Sequence, residues 1–214
     1  MSARKGWIAE AAFLAALLLA AGGYWTFAPA PAGESVVVSD IVDGDTVVLN
    51  DGRRIRYLLI DTPEKGDPLY EEATALNRSL VAGRPVRVEL DVRPKDDYGR
   101  LLAYVFVRDE SGAEIFVNER IVREGLAFLY VVGEDAARRE DILRAQRAAH
   151  EENKGLWKSM GAGGPCVGSM GKSGRHRFHR ESCESLKNAG QLVRFESRPA
   201  ALLDGRSACR SCKP

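Results

Sequence analysis

Between Val42 and Glu64 the chain reads V-D-G-D-T-V-V-L-N-D-G-R-R-I-R-Y-L-L-I-D-T-P-E and gathers Asp45, Arg56, Asp61 and Glu64 into one short segment. Carboxylates together with carbonyl and hydroxyl oxygens make an all-oxygen ligand set of the kind that suits calcium. An arginine beside them matches phosphate oxygens in a two-pronged fork that lysine lacks. Further along, Asp97-Tyr98-Gly99-Arg100 supplies a second guanidinium. A cation and two guanidinium groups neutralise the charge that grows on a phosphate under attack by water. A carboxylate outside the metal's own ligands can orient or deprotonate that water. On its own, D-G-D-T describes an ordinary loop-to-strand turn, and Arg56 an ordinary solvated strand arginine. Their combination with D-T-P-E and D-Y-G-R at this spacing points to metal-assisted hydrolysis of a phosphodiester.

A hairpin must hold these residues. Asn50-Asp51-Gly52 is a strong turn signal because these residue types tolerate positive φ. Thr46–Leu49 and Arg54–Leu58 flank it with β-branched and aromatic residues. A two-residue Asp51-Gly52 loop would pair Val47 with Arg56 and Asp45 with Leu58, leaving Asp45 and Arg56 as diagonal neighbours roughly 7–8 Å apart. A regular pleat would then turn Asp61 to the other face. The strand must therefore break or bulge near Ile60, and Pro63 favours an ending there.

The rest of the segment reads as further strands and helices. Ser35 to Val42 is expected as a first strand. Asp67-Pro68 is expected to cap a helix with proline at its first position, running through Leu80 and stopping at Gly83. Val86, Val88, Leu90 and Val92 alternate as in a half-buried strand. Leu101–Val107 and Glu114–Val117 are expected as strands joined at Asp109–Gly112, followed by a short helix capped by Asn118 and a longer one from Ala136 to Asn153. The class is α+β, a barrel or sandwich of short strands with helices.

These motifs resemble the staphylococcal nuclease family. The likeness spans about Ser35 to Trp157 and rests on D-G-D-T at 43–46, R-x-L-L-x-D-T-P-E at 56–64, D-x-Y-G-R at 96–100, L-A-Y at 102–104 and V-N-E-x-x-V-R-x-G-L-A at 117–127. It implies a five-stranded OB-type β-barrel with three helices and a calcium-dependent phosphodiesterase acting on DNA and RNA. Position by position it implies that Asp45, Asp61 and the Thr62 carbonyl bind calcium and that Glu64 acts as general base or water-orienting group. By the same likeness Arg56 and Arg100 clamp phosphate, with Arg100 nearer the leaving group, and Tyr98 contacts the substrate phosphate. A second family tyrosine falls near Tyr130 or Val131, where the alignment slips, and is not assigned.

Outside residues 35–158 the composition changes. Glu10 and Glu34 enclose 23 uncharged residues, preceded by Arg4 and Lys5. That length lies between a signal peptide's apolar core and a spanning helix, and Tyr24, Trp25 and Phe27 suit a membrane interface. Residues 1–34 are read as an uncleaved signal anchor, with a cleaved signal as the alternative. Either way the protein is exported, anchored in the inner membrane facing the periplasm or exterior, or secreted.

After Trp157 a glycine-rich linker is expected over 159–170, and residues 171–214 as a small separate module. There His179-x3-Cys183 is followed after 25 residues by Cys209-x2-Cys212, one imidazole and three thiols. This is the ligand set of a structural tetrahedral zinc site, and so short a module needs such a staple. In an oxidising compartment disulfides are the competing reading, with Cys166 making the count even. Zinc is favoured because Cys209-x2-Cys212 closes a poor disulfide loop and His179 would otherwise be idle. H-R-E-S-C, the run at 195–205 and C-R-S-C-K-P are similar to the zinc-binding domain of the methyl-transfer protein Ada.

Net charge is +1 over 214 residues, with hydrophobic and charged fractions ordinary for a globular protein. It conceals a split. Ser35–Asn153 carries 17 Lys+Arg against 24 Asp+Glu, and Lys154–Pro214 carries 12 against 4. The basic tail is suited to hold a polyanion and pass it along a flexible linker to the acidic segment. Two bland readings compete with this: the charges solvate a small surface, or the module sits on anionic lipid or on the acidic segment. A non-catalytic nucleic-acid-binding OB module is the alternative to an enzyme, and the complete set of candidate catalytic residues argues for the enzyme. Nucleic acid is the expected partner, with the membrane through the N-terminal segment and no obligate protein partner.

Overall fold

The computed structural model describes residues 34–131, 137–161, 163–170 and 176–214. The expected signal or anchor segment lies outside them, apart from Glu34. Among the described residues no helix is long and apolar enough to cross a membrane.

Strands β1 (Glu34–Ile41), β2 (Thr46–Leu49) and β3 (Arg54–Tyr57) form an antiparallel meander. A short β4 (Ile60–Asp61) and helix α1 (Tyr70–Val81) follow, then β5 (Pro85–Lys95) and β6 (Leu101–Arg108). β5 pairs with both β1 and β6, and β6 pairs in parallel with β3, Arg56 opposite Leu102, so five strands close into a ring. β7 (Glu114–Phe116) extends the sheet beyond β6, and α2 (Val117–Arg123) follows it directly. β8 (Phe128–Leu129) pairs with β4, placing Phe128 opposite Asp61, before α3 (Arg139–Glu151) and the single turn α4 (Leu156–Ser159). Val38, Val47, Ile55, Val86, Ala103 and Val105 of the ring share one buried core with Val81 of α1 and Ile121 of α2. The architecture is α+β, with a one-turn fourth helix beyond the three expected.

Several expectations are corrected. The hairpin loop is Asn50-Asp51-Gly52, with Leu49 N–H donating to Arg53 O and Gly52 at φ +83°. That third loop residue shifts the register by one, so Thr46, not Val47, stands opposite Arg56. The strand break comes slightly earlier than expected, at Leu58-Leu59, where Leu59 takes the left-handed conformation, φ 63°. Asp67 does not cap α1, which starts at Tyr70. Leu90 and Val92 are exposed because regular pairing of β5 with β6 ends at Leu90.

Asn118 is no cap either. It is wholly buried in α2, accepting from Val105 N–H and donating to the carbonyls of Leu58 and Ala103. It thereby holds the Leu58 turn, and with it β4, against β6. Asn118→Ala removes these bonds from the core, leaving Ala103 O only its bond from Leu58 N–H, and is expected to cost about 3 kcal/mol in urea unfolding. A shift below about 1 kcal/mol would refute this role.

The tail is a second small sheet. β9 (Cys166–Met170), β10 (His176–His179), β11 (Leu192–Phe195) and β12 (Ser207–Ala208) lie in the order β11-β9-β10-β12, with α5 (Arg198–Leu203) preceding β12. β9 thus occupies part of the stretch expected as linker. Nor does the module hang free. Ala149, Trp157, Cys166, Phe178, Ala201 and Leu202 form one apolar cluster shared by both parts. Gln146 of α3 accepts from Leu129 N–H and donates to Leu202 O, and Ser207 Oγ accepts from Val131 N–H and donates to Leu129 O. Residues 33–214 accordingly form one compact unit, which removes the flexible-tether picture.

Candidate active site and metal cluster

The D-G-D-T loop is clamped from three directions. Asn77 of α1 donates to Asp43 O and accepts from the buried Tyr57 hydroxyl. Gly44 packs so closely that a Cβ there would lie 2.8 Å from both Ala73 Cβ and Thr62 Cγ2, so only glycine fits. Asp45, 4% exposed, accepts through Oδ2 from the N–H and hydroxyl of Thr62, at 2.9 and 2.8 Å. Asp45 precedes β2, so its side chain is not bound by the pleat that the register imposes.

Arg56 gathers the carboxylates. Its Nε lies 3.0 Å from Asp45 Oδ1, and one Nη donates to Asp61 Oδ1 at 2.9 Å. The other Nη donates to Tyr57 O and Ile60 O, each at 2.8 Å. Four of its five N–H groups therefore face protein acceptors in the described structure. Burial, with Asp45 adjacent, raises the Asp43 carboxyl above its ordinary range. Burial also raises Asp61, against the lowering pull of Arg56 and Arg210.

Glu64 is exposed beyond Pro63. Its N–H donates to Asp67 Oδ2 and its carbonyl accepts from Asp67 N–H, so the residue expected as a helix cap closes the turn that carries Glu64. Asp61, Thr62, Glu64 and Asp67 line a cleft of about 660 Å³. Arg56, Tyr98 and Arg100 line an adjoining one of about 220 Å³. In the second, Asp96 accepts from the N–H groups of Tyr98 and Arg100 and from Arg100 Nε. Burial works to raise the Asp96 carboxyl, and these bonds from Arg100 outweigh it and hold it low. Arg100 keeps both Nη groups for the cleft, with the Tyr98 ring, 86% exposed, 5.5 Å from its guanidinium carbon.

Most of the expected residues thus line two joined clefts, while Asp45 lies buried behind them, held by Thr62 and Arg56. Sequence reasoning missed Asp43, Asp67 and Arg210 and left Tyr130 unassigned; Tyr130 and Arg210 line both clefts. Tyr130, not the buried Val131, is the one that faces them.

The residues present fit a calcium ion. The donors are all oxygens, Asp45 and Asp61 converge on one guanidinium, and two of the crowded carboxyls are raised by burial, an excess of negative charge that a divalent cation relieves.

In the tail, the ligand atoms of His179, Cys183, Cys209 and Cys212 lie within 4.8 Å of one another. His179 Nδ1 is 3.4 Å from Cys183 Sγ, while its Nε2 is 3.0 Å from Ser169 Oγ. With the proton on Nε2, Ser169 orients the ring and frees Nδ1 for a metal. Arg180 N–H points at Cys212 Sγ. All four cysteines are free thiols, and Cys166 stands apart against Ser197 O.

A closed strand ring with carboxylates and guanidinium groups clustered beside two clefts is an OB-type α+β arrangement suited to phosphodiester hydrolysis. The family model described as staphylococcal nuclease homologue matches residues 54–159. A thermonuclease of Staphylococcus intermedius is 33% identical over 135 residues, covering 59% of this chain and 77% of the relative. Endonuclease YncB of Bacillus subtilis is 34% identical over 138 residues (59% and 63%), and an uncharacterized endonuclease of Escherichia coli 36% over 121 residues (55% and 72%). The chain belongs to the staphylococcal nuclease family and is a hydrolytic nuclease.

Proposed function

We propose that the protein is a calcium-dependent nuclease of DNA and RNA, exported or held at the outer face of the inner membrane. Asp45, Asp61 and the Thr62 carbonyl hold calcium, which supplies charge neutralisation for the attacked phosphate. Glu64 orients the attacking water and accepts its proton, Arg100 faces the leaving oxygen, and Tyr98 contacts the phosphate. Arg56 has two tasks, facing phosphate with its one uncommitted N–H and fixing both carboxylates. The observation that carries this reading is the convergence of Asp45 and Asp61 on Arg56, beside the adjoining clefts that Glu64 and Arg100 line. A barrel that merely bound nucleic acid would have no need of this set.

The test is digestion of single-stranded DNA, duplex DNA and RNA with calcium, with magnesium and with a chelator. Cleavage is expected with calcium and not with chelator; undiminished cleavage in chelator would sink the calcium role. Exported placement rests on the uncharged run at 11–33, and fractionation of cells is its check.

The tail cluster is proposed to hold structural zinc through His179, Cys183, Cys209 and Cys212. Protein purified without added metal is expected to carry one zinc per chain by native mass spectrometry. Cys183→Ser is expected to lose it, together with the thermal stability of the module. Two intact disulfides in place of metal would overturn the assignment.

A further inference from the structure

The docked module delivers a side chain to the active site. Arg210 lies between Cys209 and Cys212, and its guanidinium donates to Asp61 Oδ1 at 3.0 Å, the same atom that Arg56 contacts. It also lies 4.5 Å from the centre of the Tyr130 ring. It borders both clefts, the one with Glu64 and the one with Arg100.

We infer that Arg210 is a substrate-binding residue, a third guanidinium for nucleic-acid phosphates, and that the metal knuckle around it makes the tail part of the nuclease site. Three observations carry this. Arg56 is only 12% exposed and has four N–H groups turned to protein, so it cannot grip a phosphate with a two-pronged fork while holding the carboxylates. Arg210 has a side chain 62% exposed and one donor engaged, so its fork is open to a phosphate. An ion pair this exposed adds little to stability, so fixing the module is not its main contribution. Arg177 shows the contrast: it stacks on Tyr130 as well, but donates to Ala208 O and Val131 O and serves to fix the module. Arg210 is set by the docking through Ser207 and Gln146 and by the Cys209–Cys212 turn, so losing the metal should displace it.

This inference rests on the nuclease reading above, and its test separates the two. Binding of a fluorescein-labelled single-stranded octanucleotide is measured by anisotropy at several salt concentrations, using the full chain carrying Glu64→Gln. Arg210→Ala in that background is expected to weaken binding about ten- to a hundredfold and to lower the slope of log K against log salt by about 0.7. Arg210→Lys is expected to retain the slope but only part of the affinity. Stripping the tail metal from the Glu64→Gln protein is expected to reproduce the Arg210→Ala loss, and returning zinc to reverse it. Unchanged or tighter binding with Arg210→Ala overturns the inference, because Arg210 would then be a surface ion pair or a guard over the carboxylates. Binding that survives metal removal overturns the part given to the knuckle. Calcium-dependent cleavage by the unaltered chain is run in parallel: its absence condemns the calcium-dependent reading, whereas its presence with unchanged Arg210→Ala binding condemns this inference alone.

Discussion

Glu64→Gln is expected to slow cleavage at saturating substrate by at least about a hundredfold while leaving the melting temperature within a degree or so. General base assistance by a positioned carboxylate contributes roughly 10²–10⁴ in rate. The amide keeps the size of the side chain and removes its capacity to accept a proton. Glu64 is exposed, and its backbone, not its carboxylate, makes the bonds to Asp67. The fold therefore has little to lose. Single-turnover kinetics at saturating calcium, paired with a thermal melt, check both halves. A variant that cleaves nearly as fast as the parent would remove Glu64 from the mechanism.

Arg56→Ala should behave differently, losing activity and stability together. The guanidinium is the common partner of Asp45, Asp61 and the carbonyls of Tyr57 and Ile60. Its removal leaves Asp45 buried beside Asp43 without its positive neighbour. Breaking a buried ion pair from one side costs about 3–5 kcal/mol. Activity should fall by several orders of magnitude, since the carboxylates that gather the cation lose their common anchor. Calcium is expected to restore part of the lost stability, because a ligand that binds only the folded chain shifts unfolding by mass action. Denaturant melts with and without calcium measure both effects. A variant as stable as the parent, with only its rate reduced, would show that Arg56 faces substrate and does not organise the site.

What the sequence disclosed follows the range of the interactions. Asp45, Arg56, Asp61, Glu64 and Arg100 were legible as candidates because they sit in short runs with strong turn residues. The hairpin was legible too, but its register was not. Whether Asn50 belongs to the loop or to the strand turns on the backbone at Gly52, which the pattern does not state. Asp67 and Asn118 were misread for a shared reason. Each has the residue type of a helix cap near a helix start, but Asp67 closes the turn back to Glu64, three residues before it, and Asn118 is claimed by the backbone of β6 and Leu58, partners that a local pattern does not contain. Arg210 was beyond reach, since it meets Asp61 across 149 residues of sequence. Among the 12 basic residues of Lys154–Pro214, it is the docked geometry that sets it apart. The charge split was real, yet among the described residues only Arg210 of that group forms an ion pair with the candidate calcium ligands.

The parallel pairing of β3 with β6 has a kinetic meaning. Arg56 lies on the strand whose partner, Leu102, is distant in sequence, and this is the contact that shuts the ring. A nascent or half-folded chain can form the local hairpin, but until that closure the Leu58 turn, which places Ile60 and Asp61 beside the guanidinium, lacks its bonds to Ala103 and Asn118. Cleaving competence should consequently arrive late and all at once during refolding, at the rate of a long-range strand closure and not of a hairpin. The enzyme carries its own reporter of when its topology is complete.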